Sequence, residues 1–153
     1  MPLNKEFVGR DFPPSEPYEV GREKIREFAD AIGDYAPAYR DVEAARALGY
    51  DDVIAPPTFL TTLMFRRPDR VVTDPALGLD YSRVVHGEQR YVHHRPVRAG
   101  DVLVARPTVT EIRDIGKHEK MTIQMEITTT DGEAVCTATS TLVSRGTAAP
   151  KEA

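Results

Sequence analysis

The sequence predicts an α+β layer fold from two observations. Its first half carries apolar residues at helical spacing, and its second half carries strands with alternating polarity. A strongly apolar helical segment lies between the halves. The length of 153 residues allows one domain with its own core and is short of two. We expect residues 1–145 to form this domain and residues 146–153, which are small and polar, to form a flexible tail.

The first helix is predicted from an apolar stripe. Ile25, Phe28, Ala29 and Ile32 recur at positions i, i+3, i+4 and i+7, so their side chains share one helix face. Gly33 follows the stripe and is a natural C-terminal cap, because glycine readily adopts the left-handed conformation that ends many helices. We therefore expect the first helix to pack this stripe on the core and to end at Gly33.

Two further helices are predicted before the strands. The first covers 42–48, with Asp41 as its N-cap and Gly49 after its end. The second begins at Pro57, because proline is tolerated at the first helical position, and runs through Phe65. Pro68 is expected to stop it. This apolar segment is the predicted central helix.

The second half predicts four main strands. In 121–128 the odd positions are apolar and the even ones polar, which is the two-residue period of a strand with one buried face. Asp131-Gly132 predicts a hairpin turn into a strand over 135–143. Two earlier strands fit about 81–94 and 102–112. One face of the last strand carries small residues that allow close packing: Ala134, Cys136, Ala138 and Ser140.

Composition excludes several classes of function. The net charge is −4 and the basic residues are scattered, so nucleic-acid binding is not expected. No run approaches the ~18 apolar residues of a membrane span, and a cytoplasmic protein is predicted. Cys136 is the only cysteine and is interpreted as a small core residue. No phosphate loop, dinucleotide motif or metal-ligand spacing is present, and no cofactor is expected.

Two segments between residues 33 and 59 resemble the active site of MaoC-like (R)-3-hydroxyacyl-thioester hydratases. In that family the first reads Gly-Asp-x-Asn-Pro-x-His, and the second is close to Ala-His-Gly-Met and opens the central helix. The resemblance implies a catalytic Asp–His pair and a glycine N–H that holds the thioester oxygen. Here Asp34 matches the family Asp, whereas Tyr39 occupies the His position and Pro57 the Gly position.

Further segments resemble the HadA-like subunits of (3R)-hydroxyacyl-ACP dehydratase, a FAS1-type dehydratase N-terminal-domain kind of MaoC-like protein. They cover residues 18–27, 48–50, 54–59 and 95–101. The resemblance implies a hot-dog fold, in which an antiparallel sheet wraps around a long central helix. It also implies pairing into a double hot dog, with a catalytic MaoC-like partner or a second copy, and an acyl-ACP or acyl-CoA thioester as ligand.

Dehydration of such a thioester needs a base, an acid and a donor to the thioester oxygen. Asp34 is the candidate catalytic residue, although an aspartate after Gly33 is also common as a turn residue. Tyr39 is a negligible base, because its ordinary pKa is ~10, but it can donate a hydrogen bond. Pro57 has no N–H to donate. The N–H of Thr58 or Phe59 remains an alternative donor.

The resemblance assigns substrate binding to Tyr39, Pro57, Thr58, Phe59 and Leu63. By the same resemblance an acyl tunnel would be lined by Phe59, Leu60, Leu63, Met64 and Phe65, although a central helix is expected to be apolar in any case.

Four histidines could replace the missing catalytic one. His93 and His94 are adjacent on a predicted strand, so they face opposite ways and cannot form one site. His118 is expected in an exposed turn. His86 precedes Gly87 at a possible bulge and is the best candidate, although a structural role is also open.

Three functions stay open on the sequence. The preferred one is the acyl-binding subunit of a (3R)-hydroxyacyl-thioester dehydratase in fatty-acid-type metabolism, working with a catalytic MaoC-like partner. The first alternative is a self-sufficient homodimeric hydratase that uses Asp34 with Tyr39 or His86. The second is an acyl-thioester-binding protein without turnover.

Overall fold

The computed structural model describes residues 1–65 and 70–150. Five antiparallel strands form one sheet in the order β1-β3-β4-β5-β2. The strands are β1 Tyr18–Glu19, β2 Val84–His93, β3 Val102–Ile115, β4 His118–Thr129 and β5 Ala134–Ser144. The helices are α1 Arg22–Ala31, α2 Val42–Ala47, α3 Thr61–Phe65 and α4 Arg70–Thr73, and 3-10 turns cover Lys5–Phe7, Pro37–Tyr39, Pro75–Leu77 and Tyr81–Arg83.

This curled antiparallel sheet with few helices is the hot-dog fold. Phe59 and Leu60, which lead into α3, are fully buried in the core that the sheet surrounds. Three long strands, β3, β4 and β5, are joined by tight turns, and β2 pairs back onto β5. None of the helices in the described part of the chain is long and apolar enough to cross a membrane.

All four predicted main strands are confirmed, with small differences at their ends. In β4 the apolar residues Met121, Ile123, Met125 and Ile127 are buried, as their two-residue period requires. β2 begins later than predicted, because Asp80 accepts a hydrogen bond from the Ser82 N–H and so caps a 3-10 turn ahead of the strand. The small face of β5 is buried at Cys136, Ala138 and Ser140, whereas Ala134 is exposed.

The first two helices are confirmed, together with their caps. Gly33 follows α1 with a φ of 72°, which glycine adopts without strain, and the Asp41 side chain accepts from the Glu43 N–H at the start of α2. The prediction was wrong for Ile32, which is 49% exposed. Because α1 ends at Ala31, Ile32 is its C-cap and does not join the buried stripe.

The central helix begins later than predicted. Residues 57–60 form successive turns, and regular α-helix starts at Thr61. The Phe59 N–H donates to the Pro56 carbonyl at 2.9 Å, and the Thr61 N–H donates to the Thr58 carbonyl at 3.0 Å. These hydrogen bonds span three residues, so the segment enters the helix through a tighter winding. Pro68, the predicted stop, lies outside the described residues.

The region around His118 also differs from its prediction as an exposed turn. β4 already begins at His118, which is half-buried and accepts a hydrogen bond at Nδ1 from the Gly146 N–H at 2.9 Å. The next residue, Glu119, is fully buried, and its carboxylate accepts from the Leu3 N–H at 3.0 Å. Thr147 is buried as well. The start of the predicted tail therefore lies against the sheet, and residues 151–153 lie outside the described part.

Candidate functional site

The acidic loop, residues 33–41, places Asp34 directly after α1. The Asp34 N–H donates to the Ala29 carbonyl at 2.9 Å, which anchors the loop to the last turn of the helix. One carboxylate oxygen of Asp34 accepts from the Ala36 N–H at 3.2 Å, an Asx-type turn contact. Asp34 is half-buried. Its turn role is thus visible in the structure, and its catalytic role remains a prediction.

Arg40 fastens the other end of the acidic loop. Its guanidinium pairs with the Asp30 carboxylate at 2.8 Å and donates to the Asp34 backbone carbonyl at 3.3 Å. The same group lies 5.4 Å from the centre of the exposed Tyr35 ring. Sequence reasoning missed Arg40, because its contacts form only when the chain reverses after α1.

Tyr39 lies close enough to Asp34 for the two side chains to interact electrostatically. Partial burial is the larger cause that raises the pKa of Tyr39 above its ordinary value, and the negative charge of Asp34 is the second. Both effects favour the neutral phenol. Near neutral pH Tyr39 can therefore donate a hydrogen bond, but it cannot take a proton as a histidine would.

The predicted substrate-binding residues on the central segment differ in exposure. Pro57 and Thr58 are exposed, whereas Phe59 is fully buried and its ring meets that of Phe28 edge-on at 5.6 Å. Leu63 is half-buried against the core. A ligand can reach Pro57 and Thr58 in this protomer without opening the core. Contact of all four residues with a substrate stays a prediction.

The two backbone donors suggested in place of the missing glycine also differ. The Phe59 N–H is used inside the chain, by the Pro56 carbonyl at 2.9 Å. It is therefore not available to a ligand in this conformation, contrary to the expectation from sequence. The Thr58 N–H has no acceptor among residues 1–65 and 70–150.

A helix–strand seam, missed by the sequence analysis, joins the central segment to β2. It consists of Pro57, Thr61 and Met64 on one side and Gln89, Tyr91 and His93 on the other. His93 Nε2 lies 2.7 Å from the Pro57 carbonyl oxygen, and a carbonyl can only accept, so Nε2 carries the proton. The Tyr91 hydroxyl contacts the Thr61 hydroxyl at 2.5 Å, and the Gln89 amide lies 3.6 Å from the Met64 sulfur.

Tyr91 is the central residue of the helix–strand seam. Its ring stacks on His93 with centroids 6.1 Å apart and an interplanar angle of 25°. Burial is the main cause that raises the pKa of Tyr91, and the hydrogen bond with Thr61 opposes it. The available signal in the sequence was the spacing of residues 89, 91 and 93, which puts three polar side chains on one face of a strand.

His86 and His94 make different contacts from those of His93. His86 and Glu88 flank the predicted bulge at Gly87, which is confirmed by a shift in register. His86 Nε2 lies 3.1 Å from the Ser140 hydroxyl and 3.2 Å from the Gln89 side-chain oxygen. His94 contacts the Thr137 hydroxyl at 3.1 Å, so it points away from the partner of His93, as predicted.

Cys136 is a buried core residue, as predicted, and burial raises the pKa of its thiol to about 11. A group that stays protonated at neutral pH is a poor nucleophile and a poor metal ligand. Across residues 1–65 and 70–150, no three histidine, cysteine, aspartate or glutamate side chains come together as a metal site would require.

The curled sheet and the acidic loop define a hot-dog domain of the dehydratase-like class. A family model described as "FAS1-like, dehydratase domain region" matches residues 6–138, and the chain belongs to this family. It is 57% identical over 152 residues to a UPF0336 protein of Saccharopolyspora erythraea, covering 99% of this chain and 97% of that one.

Two solved structures are similar in both fold and sequence. The first is a chain of the C-terminally truncated HadBC (3R-hydroxyacyl-ACP dehydratase) complex from Mycobacterium tuberculosis. It has a TM-score of 0.76 and 36% identity, over 90% of this chain and 96% of that chain. The second is a MaoC-like dehydratase with a TM-score of 0.82 and 36% identity, over 90% of this chain but only 42% of that one.

Proposed function

We propose that this chain is the acyl-binding subunit of a (3R)-hydroxyacyl-thioester dehydratase and works with a catalytic MaoC-like partner. The observation that carries the proposal is the phenol of Tyr39 beside Asp34. Both burial and the carboxylate keep that phenol protonated, so Tyr39 cannot replace the histidine base of the family site at neutral pH. A partner with an intact Asp–His pair would supply this base.

The state of the other predicted catalytic parts supports the same division of labour. Pro57 has no N–H, and the Phe59 N–H is already used by Pro56. One oxygen of Asp34 is used in its own turn. Arg40 ties the same loop to Asp30 of α1 and to the Asp34 backbone carbonyl, so the loop has a structural role.

The free edge of the sheet supports the presence of a partner. In the sheet of the described residues, β2 is last in order and pairs with β5 alone. It is ten residues long, and Val85 and Val92 on it are 42% and 43% exposed. A long edge strand with exposed apolar side chains is a template for pairing with another strand. We propose that a second hot-dog domain covers this edge.

The similar structures are consistent with such pairing. The HadBC chain, with which this chain shares 36% identity, comes from a complex of a 3R-hydroxyacyl-ACP dehydratase. In the MaoC-like dehydratase more than half of the chain is left unmatched, which is room for a second domain of this size. Either arrangement would place a catalytic domain beside one like this chain.

The acyl group is proposed to lie along the outer side of the central segment. Leu63 and Met64 are half-buried apolar side chains there, and the exposed Pro57 and Thr58 lie at its start. The carrier is proposed to be ACP or CoA, in fatty-acid-type metabolism. The cytoplasmic location predicted from the sequence stays a prediction.

The proximity of Asp34 and Tyr39 favours one alternative, a homodimeric hydratase in which the phenol serves as an acid. In that case the Asp34 carboxylate or His86 would have to act as the base. His86 contacts Ser140 and Gln89, among other partners. A binding protein without turnover is the other alternative.

The test is reconstitution with a MaoC-like chain that carries the intact Gly-Asp-x-Asn-Pro-x-His motif. The two purified chains are mixed, their assembly is followed by size-exclusion chromatography, and hydration of a 2-enoyl-CoA is measured. We expect a one-to-one complex and a rate higher than that of either chain alone. A mixture that neither assembles nor exceeds the separate rates would contradict the proposal.

A further inference from the structure

The exposed edge of the helix–strand seam carries a hydrogen-bond donor that the function described above does not use. His93 Nε2–H is 2.7 Å from the Pro57 carbonyl, and both residues are exposed. Stacking on Tyr91, whose hydroxyl contacts Thr61, holds the imidazole in its orientation. The donor is therefore fixed in direction. Because both residues are exposed, unlike the buried Phe59, a ligand carbonyl can compete with Pro57 for it.

We infer that His93 is a binding residue for a carbonyl oxygen of an acyl-thioester ligand, either the thioester itself or an amide of the pantetheine arm. The inference rests on the proposed function and adds to it the residue that holds the ligand's polar part. On binding, the ligand carbonyl takes the His93 N–H, and the exposed Pro57 carbonyl turns to water.

The exchange costs little, because one carbonyl acceptor replaces another and the released one stays solvated. The apolar surroundings fit the rest of such a ligand. Leu63 and Met64 lie half-buried along the same segment, so an acyl chain placed there brings its polar end toward Pro57 and His93. Pro57 itself offers no N–H, and His93 adds a side-chain donor at this position.

The experiment measures the affinity of the full chain for two ligands of equal length. Octanoyl-CoA has the thioester carbonyl, whereas S-octyl-CoA, a thioether, lacks it and keeps the pantetheine amides. The variants are His93→Phe, which removes the donor, and His93→Gln, which keeps an N–H in a similar place. His94→Phe is the matched control, because His94 is the neighbouring residue and contacts Thr137 instead.

We expect His93→Phe to weaken binding of octanoyl-CoA by about 3- to 10-fold, the effect of one hydrogen bond. His93→Gln should stay near the wild type, and His94→Phe should have no effect. If His93→Phe weakens only octanoyl-CoA, the thioester is the bound carbonyl. If it weakens both ligands equally while His93→Gln does not, the bound carbonyl is a pantetheine amide.

Other outcomes overturn the inference. Equal losses in His93→Phe and His93→Gln would mean that the loss does not come from a hydrogen bond donated at this position. Unchanged binding in His93→Phe would mean that His93 does not bind the ligand, and the proposed function would still stand. Failure of the wild-type chain to bind either ligand would instead overturn the proposed function, and this inference with it. Thermal unfolding of each variant shows whether the fold is intact.

Discussion

The acidic loop and the helix–strand seam are bound to the rest of the molecule in different ways. The acidic loop is held to the helix before it: Arg40 pairs with Asp30 of α1, and Asp34 accepts from the Ala36 N–H. In the seam the contacts run between a helix and a strand, and His93 meets Pro57 at an exposed edge. The loop is thus bound to a neighbour in the sequence, whereas the seam joins two elements that are distant in it.

The two regions also carry different chemical groups. The loop has a carboxylate and a phenol but no imidazole, so it lacks the base that the histidine would supply in the family site. The seam has an imidazole donor and apolar neighbours. A chain without the histidine base fits the acyl-binding subunit that we propose.

Phe59 connects the two regions, and its substitution should have the largest effect on stability. Its ring packs edge-on against Phe28 of α1, the helix that leads into the acidic loop, and two residues later α3 begins at Thr61. We expect Phe59→Ala to lower the free energy of unfolding by about 3–5 kcal/mol, because it leaves a cavity in the core. Urea unfolding measures this change.

Thr58→Ala is the matched control, because Thr58 precedes Phe59 and is exposed. It should change the free energy of unfolding by no more than about 0.5 kcal/mol. Similar losses in the two variants would mean that Phe59 does not anchor the segment.

Substitutions in the helix–strand seam should lower the stability by less, and their effects should depend on each other. Tyr91→Phe removes the hydroxyl that contacts Thr61, and Thr61→Val removes the other partner. We expect each to cost about 0.5–1.5 kcal/mol of unfolding free energy. In the double variant the losses should not add, because the first substitution already breaks the contact. Strictly additive losses in the cycle would show that the two hydroxyls do not interact.

The smallest effect on stability is expected from the ionisation of Tyr39 in the acidic loop, and it should appear only at high pH. The pKa of Tyr39 is raised in the folded chain, so the unfolded chain loses this proton first, near its ordinary pKa of about 10. The stabilisation is therefore full below about pH 10 and is lost as the pH rises through the folded pKa. Tyr91, whose pKa is also raised, contributes in the same direction.

We expect the urea midpoint to fall between about pH 9 and about pH 11, and to fall less in Tyr39→Phe. Asp34→Asn removes the charge that adds to the shift, so it should bring the titration of Tyr39 closer to the ordinary value. A phenolate absorbance titration that is the same with and without the Asp34 charge would contradict the electrostatic contact.

Local patterns predicted most of the fold. The alternation in β4 and the caps Gly33 and Asp41 each depend on residues a few positions apart, and the structure confirms all of them. The prediction for Ile32 was wrong because α1 ends one residue before it, so its side chain does not join the buried stripe.

The candidate site was only partly predictable. Asp34 and Tyr39 lie five positions apart in one loop, and the structure keeps them together. His93 and Pro57 are separated by 36 positions, and only the pairing of β2 in the sheet brings them into contact. The periodicity of a helix or a strand cannot predict a contact between residues so far apart in the sequence.

The most direct test of the account is the hydration of a 2-enoyl-CoA by the purified chain alone, followed by the loss of absorbance of the conjugated thioester. The account predicts no rate above that of buffer, because Tyr39 cannot act as the base. A clear rate that disappears in Asp34→Asn, with thermal unfolding unchanged, would contradict it and make the chain a hydratase by itself.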